Sequence, residues 1–592
     1  MSNEHTDEQM NGATILIKAL VDQGVDTIFG YPGGAVLPIY DAIFAQNKLR
    51  HILVRHEQGA MHAAEGYARS SGKVGCVLVT SGPGATNAVT GLCDALMDSI
   101  PVVCLTGQVP THLIGNDAFQ EADTTGITRP CTKHNYLVKD VDKLANTVHE
   151  AFYIARSGRP GPVLIDLPKD VMNAKGDYHP PLDVEHKTYK PQMKGDNAAI
   201  REAVKMLKGA KKPIIYAGGG VINSGPHASE LLAKLVRASG APCTLTLMGL
   251  GAYPASDKQF VGMLGMHGTY EANLAMHDCD VMVAVGARFD DRITGRIDLF
   301  SPNSKKIHID IDPSSVNKNV AVDLPIIGDV GSVLTDLLEA WRSEPTKQDK
   351  RALENWWVEI NKWRKKDCLK FGDSNKVIKP QYAIQRLWEL TRDREEDTFI
   401  TTEVGQHQMW AAQHFGFDKP NHWMTSGGLG TMGYGLPSAM GVQVAHPDAL
   451  VVDIAGEGST LMNIQEMATI AQYRLPVKVF ILNNQYLGMV RQWQELLHGG
   501  RYAESYMDSL PDFVKLAESF HAEGMRATKV DELDDVINAM IKSDKAVIAD
   551  ICVDPAENVF PMIPSGAAHN DMLLGPDDSA AKPISAEGMV LV

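Results

Sequence analysis

The sequence predicts an α/β protein built from three doubly wound parallel-sheet domains. Short apolar runs alternate with helical patterns along the whole chain, as in repeated βαβ units. Several of these runs are apolar at every position, as expected for strands that are covered on both faces. The chain has 592 residues, more than one hydrophobic core usually organises, so about three domains are expected.

The predicted strands are short runs bounded by turn residues or by helical patterns. The clearest runs are 51–55, 74–80, 101–106, 213–217, 281–285, 307–311, 449–454 and 477–482. A charged, Pro-rich segment at 176–195 and a charged, Trp-containing segment at 343–377, predicted to include a connecting helix, interrupt this alternation. The predicted domains are therefore an N-terminal domain (1–185), a central domain (186–345) and a C-terminal domain with a tail (346–592).

Composition disfavours several classes of protein. The formal net charge is −16 and no basic stripe interrupts it, which argues against nucleic acid or an anionic membrane as a partner. No apolar run reaches the ~18 residues that span a bilayer. The acidic first residues are unlike a signal or transit peptide, so a cytoplasmic protein with reduced cysteines is expected. The tail at 565–592 is expected to be a mobile segment or lid.

Polar residues follow two strands of the C-terminal domain that are joined by one helical segment. Gly456-Glu457-Gly458 ends the first strand and Asn483-Asn484 ends the second. The carboxyl ends of parallel strands meet at one sheet edge. The Glu457 carboxylate, the Asn484 amide oxygen and the Tyr486 carbonyl could there hold Mg²⁺, which prefers hard oxygen ligands. The glycines and the helix start at Ser459 suit a diphosphate, although an ordinary tight turn is the alternative.

Other strand ends carry polar or glycine-rich segments in all three domains. In the C-terminal domain, 402–407 follows the predicted strand 398–401; a helix-capping cluster explains it equally well. In the N-terminal domain, Glu57 opens a helix, where stabilisation of the helix N-terminus is the plain explanation. In the central domain, Gly218-Gly219-Gly220, Gly286 and Asp310 follow three strands, an arrangement that suits a nucleotide. The GxGxxG pattern is absent, so a domain without ligand is the alternative.

Taken together, the motifs resemble those of thiamine-diphosphate-dependent enzymes, and specifically acetohydroxyacid synthase. Gly30–Ala35, Arg55–Ala60 and Thr80–Asn87 are typical of the family's pyrimidine-binding domain. The GEG and NN motifs are similar to its diphosphate motif, usually GDG and NN, with Glu457 in place of Asp. That longer side chain puts the metal geometry in question. In the central domain, Thr246–Met248, Met266–Gly268 and Gly286–Arg292 look like the FAD-binding segments of acetohydroxyacid synthase.

The resemblance implies three bound groups, namely thiamine diphosphate, Mg²⁺ and FAD. The implied thiamine-diphosphate contacts are Glu57, Val404, Gly405, Gln406, His407, Gly430, Met432, Gly456, Gly458, Ser459, Asn484, Leu487, Gly488 and Met489. The implied FAD contacts are Arg159, Gly218, Gly219, Gly220, Thr246, Leu247, Met266, His267, Gly286, Arg288, Asp310, Ile311, Asp329 and Val330. The implied metal ligands are Glu457, Asn484 and Tyr486.

The resemblance also implies catalytic and substrate residues. Glu57 would bond the pyrimidine ring of the cofactor and so make the cofactor's own amino group the base. Gly34, Gln120 and Lys169 would lie near the reacting centre, although an exposed loop charge explains Lys169 equally well. Arg292 would hold the acceptor carboxylate, with Trp493 and Phe119 beside the acceptor. Trp493 would favour the larger acceptor, although a packing residue of an amphipathic helix is the alternative. Met432 would support the thiazolium ring, but a lone methionine is more often a core residue.

The implied activity joins two 2-oxo acids. Pyruvate is decarboxylated and its hydroxyethyl unit is joined to pyruvate or 2-oxobutyrate, which gives 2-acetolactate or 2-aceto-2-hydroxybutyrate for branched-chain amino-acid biosynthesis. The family implies a homodimer or homotetramer with a separate small regulatory subunit. A pyruvate oxidase that uses FAD as electron acceptor is the nearest alternative, and a non-catalytic cofactor-binding protein is another. Glyoxylate carboligase is disfavoured because it lacks a carboxylate at the position of Glu57.

Overall fold

The computed structural model describes residues 9–181, 184, 186, 188–372 and 374–581. The chain divides into two compact units. The first contains the N-terminal region up to Lys190 and two later segments, Ser426–Val451 and Leu461–Val477. The second contains Pro191–Thr425, Val452–Thr460 and the C-terminal region from Lys478. Each unit therefore combines segments that are far apart in the sequence.

Most strands of the described residues are short and buried. They are β1 (Met10–Asn11), β2 (Thr27–Gly30), β3 (Arg50–Leu53), β4 (Gly75–Val79), β5 (Val102–Gln108), β6 (His134–Leu137), β7 (Val163–Pro168), β8 (Lys175–Gly176), β9 (Pro213–Ala217), β10 (Cys243–Leu245), β11 (Phe260–Met263), β12 (Val281–Val285), β13 (Lys305–Asp310), β14 (Leu324–Ile327), β15 (Thr398–Thr402), β16 (Trp423–Met424), β17 (Leu450–Ala455), β18 (Lys478–Asn483), β19 (Glu523–Ala527) and β20 (Val547–Cys552). The predicted runs differ from the observed strands by no more than one or two residues at either end.

Helices follow most of these strands. They are α1 (Gly12–Asp22), α2 (Leu37–Phe44), α3 (Glu57–Ser71), α4 (Pro83–Asn87), α5 (Val89–Met97), α6 (Thr124–Thr128), α7 (Leu144–Arg156), α8 (Lys169–Asn173), α9 (Asn197–Gly209), α10 (Gly219–Asn223), α11 (Pro226–Ser239), α12 (Tyr270–Asp278), α13 (Asp291–Thr294), α14 (Val330–Ser343), α15 (Lys350–Arg364), α16 (Pro380–Thr391), α17 (Gln406–His414), α18 (Gly435–Ala445), α19 (Glu457–Thr460), α20 (Glu466–Tyr473), α21 (Gly488–Leu497), α22 (Phe513–Ser519), α23 (Val530–Lys542) and α24 (Pro576–Ala581). Among the described residues, no helix has the length and apolar character needed to cross a membrane.

Three six-stranded parallel sheets confirm the predicted fold class. Their strand orders are β3-β2-β4-β5-β7-β6, β11-β10-β9-β12-β13-β14 and β16-β15-β17-β18-β20-β19. The first and third sheets have the same topology. If the strands of each sheet are numbered along the chain, their order across the sheet is 2-1-3-4-6-5. The order of the central sheet is that of dinucleotide-binding domains. The domain boundaries at 185 and 345 remain predictions.

Each sheet contains a central pair of neighbouring strands whose connections run towards opposite edges of the sheet. These pairs are β2 and β4, β9 and β12, and β15 and β17. A crevice opens at the carboxyl ends of such a pair, because the connections on its two sides run to opposite ends of the sheet. Most of the polar motifs predicted from the sequence follow these strands, and Glu57, Asn484 and Asp310 lie at the ends of the other strands β3, β18 and β13. The fold therefore places them where α/β proteins bind ligands.

Helix α3, which begins with Glu57, packs closely on helix α18 in the first unit. The helix starts where the His56 side chain accepts a hydrogen bond from the Gln58 N–H at 3.1 Å. A Cβ atom at Gly441 would lie 1.8 Å from the Ala63 carbonyl oxygen, and one at Gly66 would lie 2.2 Å from the Ser438 carbonyl oxygen. Both helices therefore need glycine at this crossing, which holds α3 against its neighbour.

Two segments pack more firmly than their composition suggested. Helix α15, predicted as a connector, buries Trp356 in the core beneath the central sheet, and the indole N–H donates to the Pro213 carbonyl at 3.0 Å. In the tail, His569 is 1% exposed and its ring bonds the Ile293 carbonyl at 2.7 Å. This part of the tail is thus packed against the rest of the second unit, since His569, Met572 and Leu573 are buried, and its expected role as a mobile segment or lid stays a prediction. Residues 582–592 lie outside the described residues.

Candidate active site and cofactor sites

The carboxyl ends of β15, β17 and β18 bring the predicted diphosphate and metal residues to one edge of the third sheet. Glu457, the first residue of α19, is 1% exposed. The backbone N–H groups of Asn484 and Tyr486 lie near its carboxylate and lower its pKa, against the larger effect of burial. Asn484 is also buried, and its side-chain oxygen accepts from the Tyr486 N–H at 3.0 Å. The structure therefore places Glu457, Asn484 and Tyr486 together.

The chemistry of this cluster fits a divalent cation. Within the described part of the chain, Oε1 of Glu457 has no hydrogen-bond partner. Burial raises the pKa of Glu457 to about 7, against several backbone hydrogen bonds that lower it. A buried carboxylate oxygen without a donor is costly, and a hard cation would satisfy it. Glu457 still presents a carboxylate oxygen where the related motif has Asp, so an oxygen ligand is retained.

His407 and Gln406 lie beside the same strand ends. His407 is buried, its ring bonds the backbone of Glu403, and its Nε2 has no partner among the described residues. Burial lowers the pKa of His407 to about 3, so the imidazole is neutral. Gln406 accepts from the Asn484 amide at 3.2 Å. A Cβ at Gly456 would lie 2.8 Å from the His407 ring, so glycine lets the backbone approach that ring.

The remaining predicted diphosphate contacts occupy nearby positions in the second unit. Val404 and Gly405 precede α17, while Gly458 and Ser459 lie in α19. Leu487 precedes α21, and Gly488 and Met489 open it. Their backbone groups therefore lie at helix starts, where N–H groups lack partners within the helix and suit an anion.

Glu57 lies at the corresponding edge of the first sheet. It is 9% exposed and its Oε2 accepts from the Asn87 side-chain amide at 2.9 Å. Asn87 belongs to the Thr80–Asn87 segment after β4. A Cβ at Gly84 in that segment would lie 3.4 Å from the other carboxylate oxygen. The structure therefore brings two of the predicted N-terminal motifs together and adds Asn87 as the partner that orients Glu57.

The loop before Glu57 is held by a residue that the sequence did not suggest. Glu466, on α20, is fully buried and accepts the backbone N–H of Arg55 at 3.0 Å and that of His56 at 2.9 Å. Burial raises the pKa of Glu466 to about 7, and these hydrogen bonds lower it. The two segments are 411 residues apart in the sequence. No local pattern could have indicated this contact.

The other predicted catalytic residues of the first unit are more open. Gly34 is exposed, Phe119 is 88% exposed, and Lys169 is partly buried at the start of α8. Gln120 has a φ of +58° and its carbonyl oxygen lies 2.7 Å from the Cβ position of Gly82. Gln120 therefore packs on the segment that supplies Asn87. Gly430 and Met432 belong to the first unit in the 426–433 segment, where Gly430 is exposed and Met432 is partly buried.

The central sheet brings the predicted FAD glycines into contact at its switch point. The Gly220 N–H donates to the Gly286 carbonyl at 2.9 Å, and the Gly218 N–H donates to the Val285 carbonyl at 3.0 Å. A Cβ at Gly220 would lie 2.6 Å from the Cα of Gly286. Only glycine permits this approach of the segments after β9 and β12. The geometry fits a nucleotide whose phosphates approach the backbone.

Polar residues at neighbouring strand ends complete this arrangement. Asp310 is 9% exposed and caps the turn after β13, and Asp329 accepts from Ser224 at 2.7 Å at the start of α14. His267 is buried against the Pro561 carbonyl, and burial lowers its pKa to about 4. The other predicted FAD contacts in this unit are Gly219, Thr246, Leu247, Met266, Arg288, Ile311 and Val330. Arg159 lies in the first unit, where it donates to Ser99.

Two predicted substrate residues lie in the second unit. Arg292 is on α13, with a side chain 53% exposed and 3.8 Å from the Asp291 carboxylate. Trp493 is partly buried on α21. Arg292 therefore has a guanidinium that is accessible to an anionic group.

Three family models match the chain in the order of its sheets. The N-terminal TPP binding domain of thiamine pyrophosphate enzymes matches residues 10–127. The central domain of these enzymes matches 200–337, and the C-terminal TPP binding domain matches 403–551.

Curated relatives match almost the whole chain. The acetolactate synthase large subunit of Haemophilus influenzae is 50% identical over 570 residues, which cover 96% of this chain and 98% of that protein. The isozyme 3 large subunit of Escherichia coli is 49% identical over 572 residues, covering 96% and 99%. A probable acetolactate synthase large subunit of Methanocaldococcus jannaschii is 48% identical, covering 94% of each chain. With these domains and this identity over nearly its full length, the chain belongs to the acetolactate synthase large-subunit family of thiamine pyrophosphate enzymes.

Proposed function

We propose that this chain is the catalytic subunit of an acetolactate synthase. It decarboxylates pyruvate and joins the remaining two-carbon unit to pyruvate or 2-oxobutyrate, a step in branched-chain amino-acid biosynthesis. The observation that carries this function is the 49–50% identity to acetolactate synthase large subunits over 96% of the chain. The same relatives favour the synthase over the pyruvate oxidase alternative.

Thiamine diphosphate, when bound, supplies the carbanion chemistry of decarboxylation and transfer. Glu57 holds a proton at the pyrimidine end of the cofactor site, and its 2.9 Å bond from Asn87 fixes the direction of the carboxylate. Glu466 positions the loop before Glu57 through two backbone N–H groups. These contacts support the assignment of Glu57 as the catalytic carboxylate.

Glu457, Asn484 and the Tyr486 carbonyl would hold Mg²⁺, and His407 would contact the diphosphate. Two observations support this assignment. Among the described residues, neither Oε1 of Glu457 nor Nε2 of the neutral His407 ring has a hydrogen-bond partner. The segments 404–407, 456–459 and 487–489 would contribute backbone N–H groups. Gly430 and Met432 would contact the cofactor from the 426–433 segment.

FAD would bind at the switch point of the central sheet. The strand order and the contact between Gly220 and Gly286 support this site. His267, Asp310 and Asp329 would contact the cofactor beyond the glycines. The flavin has no redox step in the proposed reaction, so its part is structural.

Arg292 would bind the acceptor carboxylate, because an accessible guanidinium recognises a carboxylate through two parallel hydrogen bonds. Trp493 and Phe119 would form the apolar side of the acceptor site. Gly34, Gln120 and Lys169 would lie near the reacting centre. Since the matched relatives are named large subunits, we also propose a small regulatory partner, and the resemblance supports a homodimer or homotetramer.

The first test is the product that purified protein makes from pyruvate. The reaction contains thiamine diphosphate, Mg²⁺ and FAD without oxygen, and acetolactate, acetate and the flavin spectrum are followed together. Acetolactate with oxidised flavin is expected. Acetate with reduced flavin would instead identify an oxidase. No product from pyruvate, alone or with added 2-oxobutyrate, would contradict the proposed activity.

A further inference from the structure

Two carboxylates at the end of helix α5 bind the 426–433 segment in the first unit. Asp94 is fully buried, and its Oδ1 accepts from the Ser426 hydroxyl at 2.5 Å and from the Thr431 hydroxyl at 3.0 Å. The Thr431 N–H also donates to the Ser426 oxygen at 2.8 Å. Asp94 therefore ties together two residues on either side of the glycines of this segment.

Asp98, one turn later, binds the backbone of the same segment. Its Oδ2 accepts from the Gly427 N–H at 2.8 Å, and its Oδ1 accepts from the Gly428 N–H at 2.7 Å. Both oxygens of one carboxylate are thus occupied by adjacent backbone donors. Asp98 lies 329 residues before Gly427 in the sequence, so only the fold brings them together.

The surroundings of the two carboxylates differ in a way that predicts different roles. The Glu65 carboxyl lies near Asp94, and burial, followed by the charge of Glu65, raises the pKa of Asp94 to about 8. Asp94 holds both of its hydroxyl donors with one oxygen. Asp98 faces Asp94 and the Arg69 guanidinium, and uses both of its oxygens.

The 426–433 segment is not held by regular secondary structure. It lies between β16 and α18, and Gly430 and Gly433 have φ values of +74° and +90°. Glycine-rich backbone of this kind has many accessible conformations when it is free. The carboxylates of α5 and the Asn463 amide, which donates to the Gly433 carbonyl at 2.6 Å, hold its two ends.

We propose that Asp94 and Asp98 are positioning residues that hold the 426–433 segment in the conformation required to bind thiamine diphosphate. This inference rests on the proposed function, which places Gly430 and Met432 at the cofactor. Neither carboxylate touches the cofactor. The two carboxylates restrict the segment to one conformation before the cofactor binds. Binding then costs less conformational entropy, so the carboxylates increase the affinity for the cofactor.

The test makes the same substitution, Asp to Asn, at Asp94 and at Asp98, where it breaks different numbers of hydrogen bonds. Asp98→Asn keeps one acceptor and sets an NH₂ group against a backbone N–H, so it should raise the dissociation constant for thiamine diphosphate about tenfold or more. Asp98→Glu keeps two acceptors and should recover most of the affinity. Asp94→Asn keeps its single accepting oxygen and should have the smaller effect, whereas Asp94→Ala should approach Asp98→Asn. Asp41→Asn, at an exposed site on α2, is the matched control.

Affinity is measured by equilibrium dialysis with thiamine diphosphate and Mg²⁺ on the FAD-loaded chain, with acetolactate formation at saturating cofactor measured in parallel. A higher dissociation constant with most of kcat recovered at saturation supports positioning. Equal cofactor affinity in wild type and Asp98→Asn would overturn the proposal, as would Asp94→Asn and Asp98→Asn being equally impaired. If the wild type binds the cofactor but makes no acetolactate, the proposed function fails while the binding comparison still decides this inference.

Discussion

Glu57→Gln should separate the catalytic role of this residue from its structural role. The substitution preserves side-chain size, and the amide oxygen can still accept the Asn87 hydrogen bond that is 2.9 Å long in the wild type. A bond to a charged acceptor contributes ~1.5–3 kcal/mol and a neutral one ~0.5–1.5 kcal/mol, so stability should change by only about 1 kcal/mol. The side chain is 9% exposed and no new cavity is formed. Folding and cofactor binding should therefore persist.

Activity should fall much further than stability. The amide that replaces the carboxyl group cannot hold a proton for the cofactor, and a positioned acid–base group contributes about 10²–10⁴-fold to rate. The assay is acetolactate formation from pyruvate at saturating thiamine diphosphate, together with chemical denaturation. Asn87→Ala, which keeps the carboxylate but removes its partner, should lose less activity than Glu57→Gln. Full activity in Glu57→Gln would refute the reasoning.

Three further predictions concern other residues of the proposed site. Trp493→Leu should weaken the preference for 2-oxobutyrate over pyruvate in a competition assay, and an unchanged product ratio would exclude Trp493 from acceptor choice. Glu457→Gln should raise the Mg²⁺ concentration for half-maximal activity about tenfold or more, with excess Mg²⁺ restoring activity, because a buried carboxylate ligand is lost; an unchanged Mg²⁺ titration would argue against this metal site. Burial raises the pKa of Glu466 from 4.5 to about 7, so its contribution to the free energy of unfolding should fall as pH rises through that interval. Glu466→Gln should therefore lose less stability than wild type between pH 5 and pH 8 in denaturant titrations, and identical pH profiles would contradict the assignment.

The local parts of the fold could be predicted because burial leaves a local signature. A strand of a parallel sheet is covered on both faces, so runs such as 213–217 and 281–285 are apolar throughout and match observed strands. Residues that follow such strands lie at one edge, so the sequence alone predicts that Glu457 and Asn484 lie close together. Helix α15 was harder to place, because its charged sequence conceals the buried Trp356.

The sequence by itself determined the α/β class, the alternation of strands and helices, and the motifs that indicate thiamine diphosphate, Mg²⁺ and FAD. Only the tertiary structure decided which strands are neighbours and which side chains position those motifs. Glu466 binds the loop before Glu57 across 411 residues, and Asp94 binds Ser426 across 332. Such hydrogen bonds join residues that are far apart in the sequence, so no periodic pattern of residue types indicates them. A single carboxylate or hydroxyl group is also not reflected in the types of the residues next to it. Their partners are determined by the packing of α3, α5, α18 and α20 in the first unit.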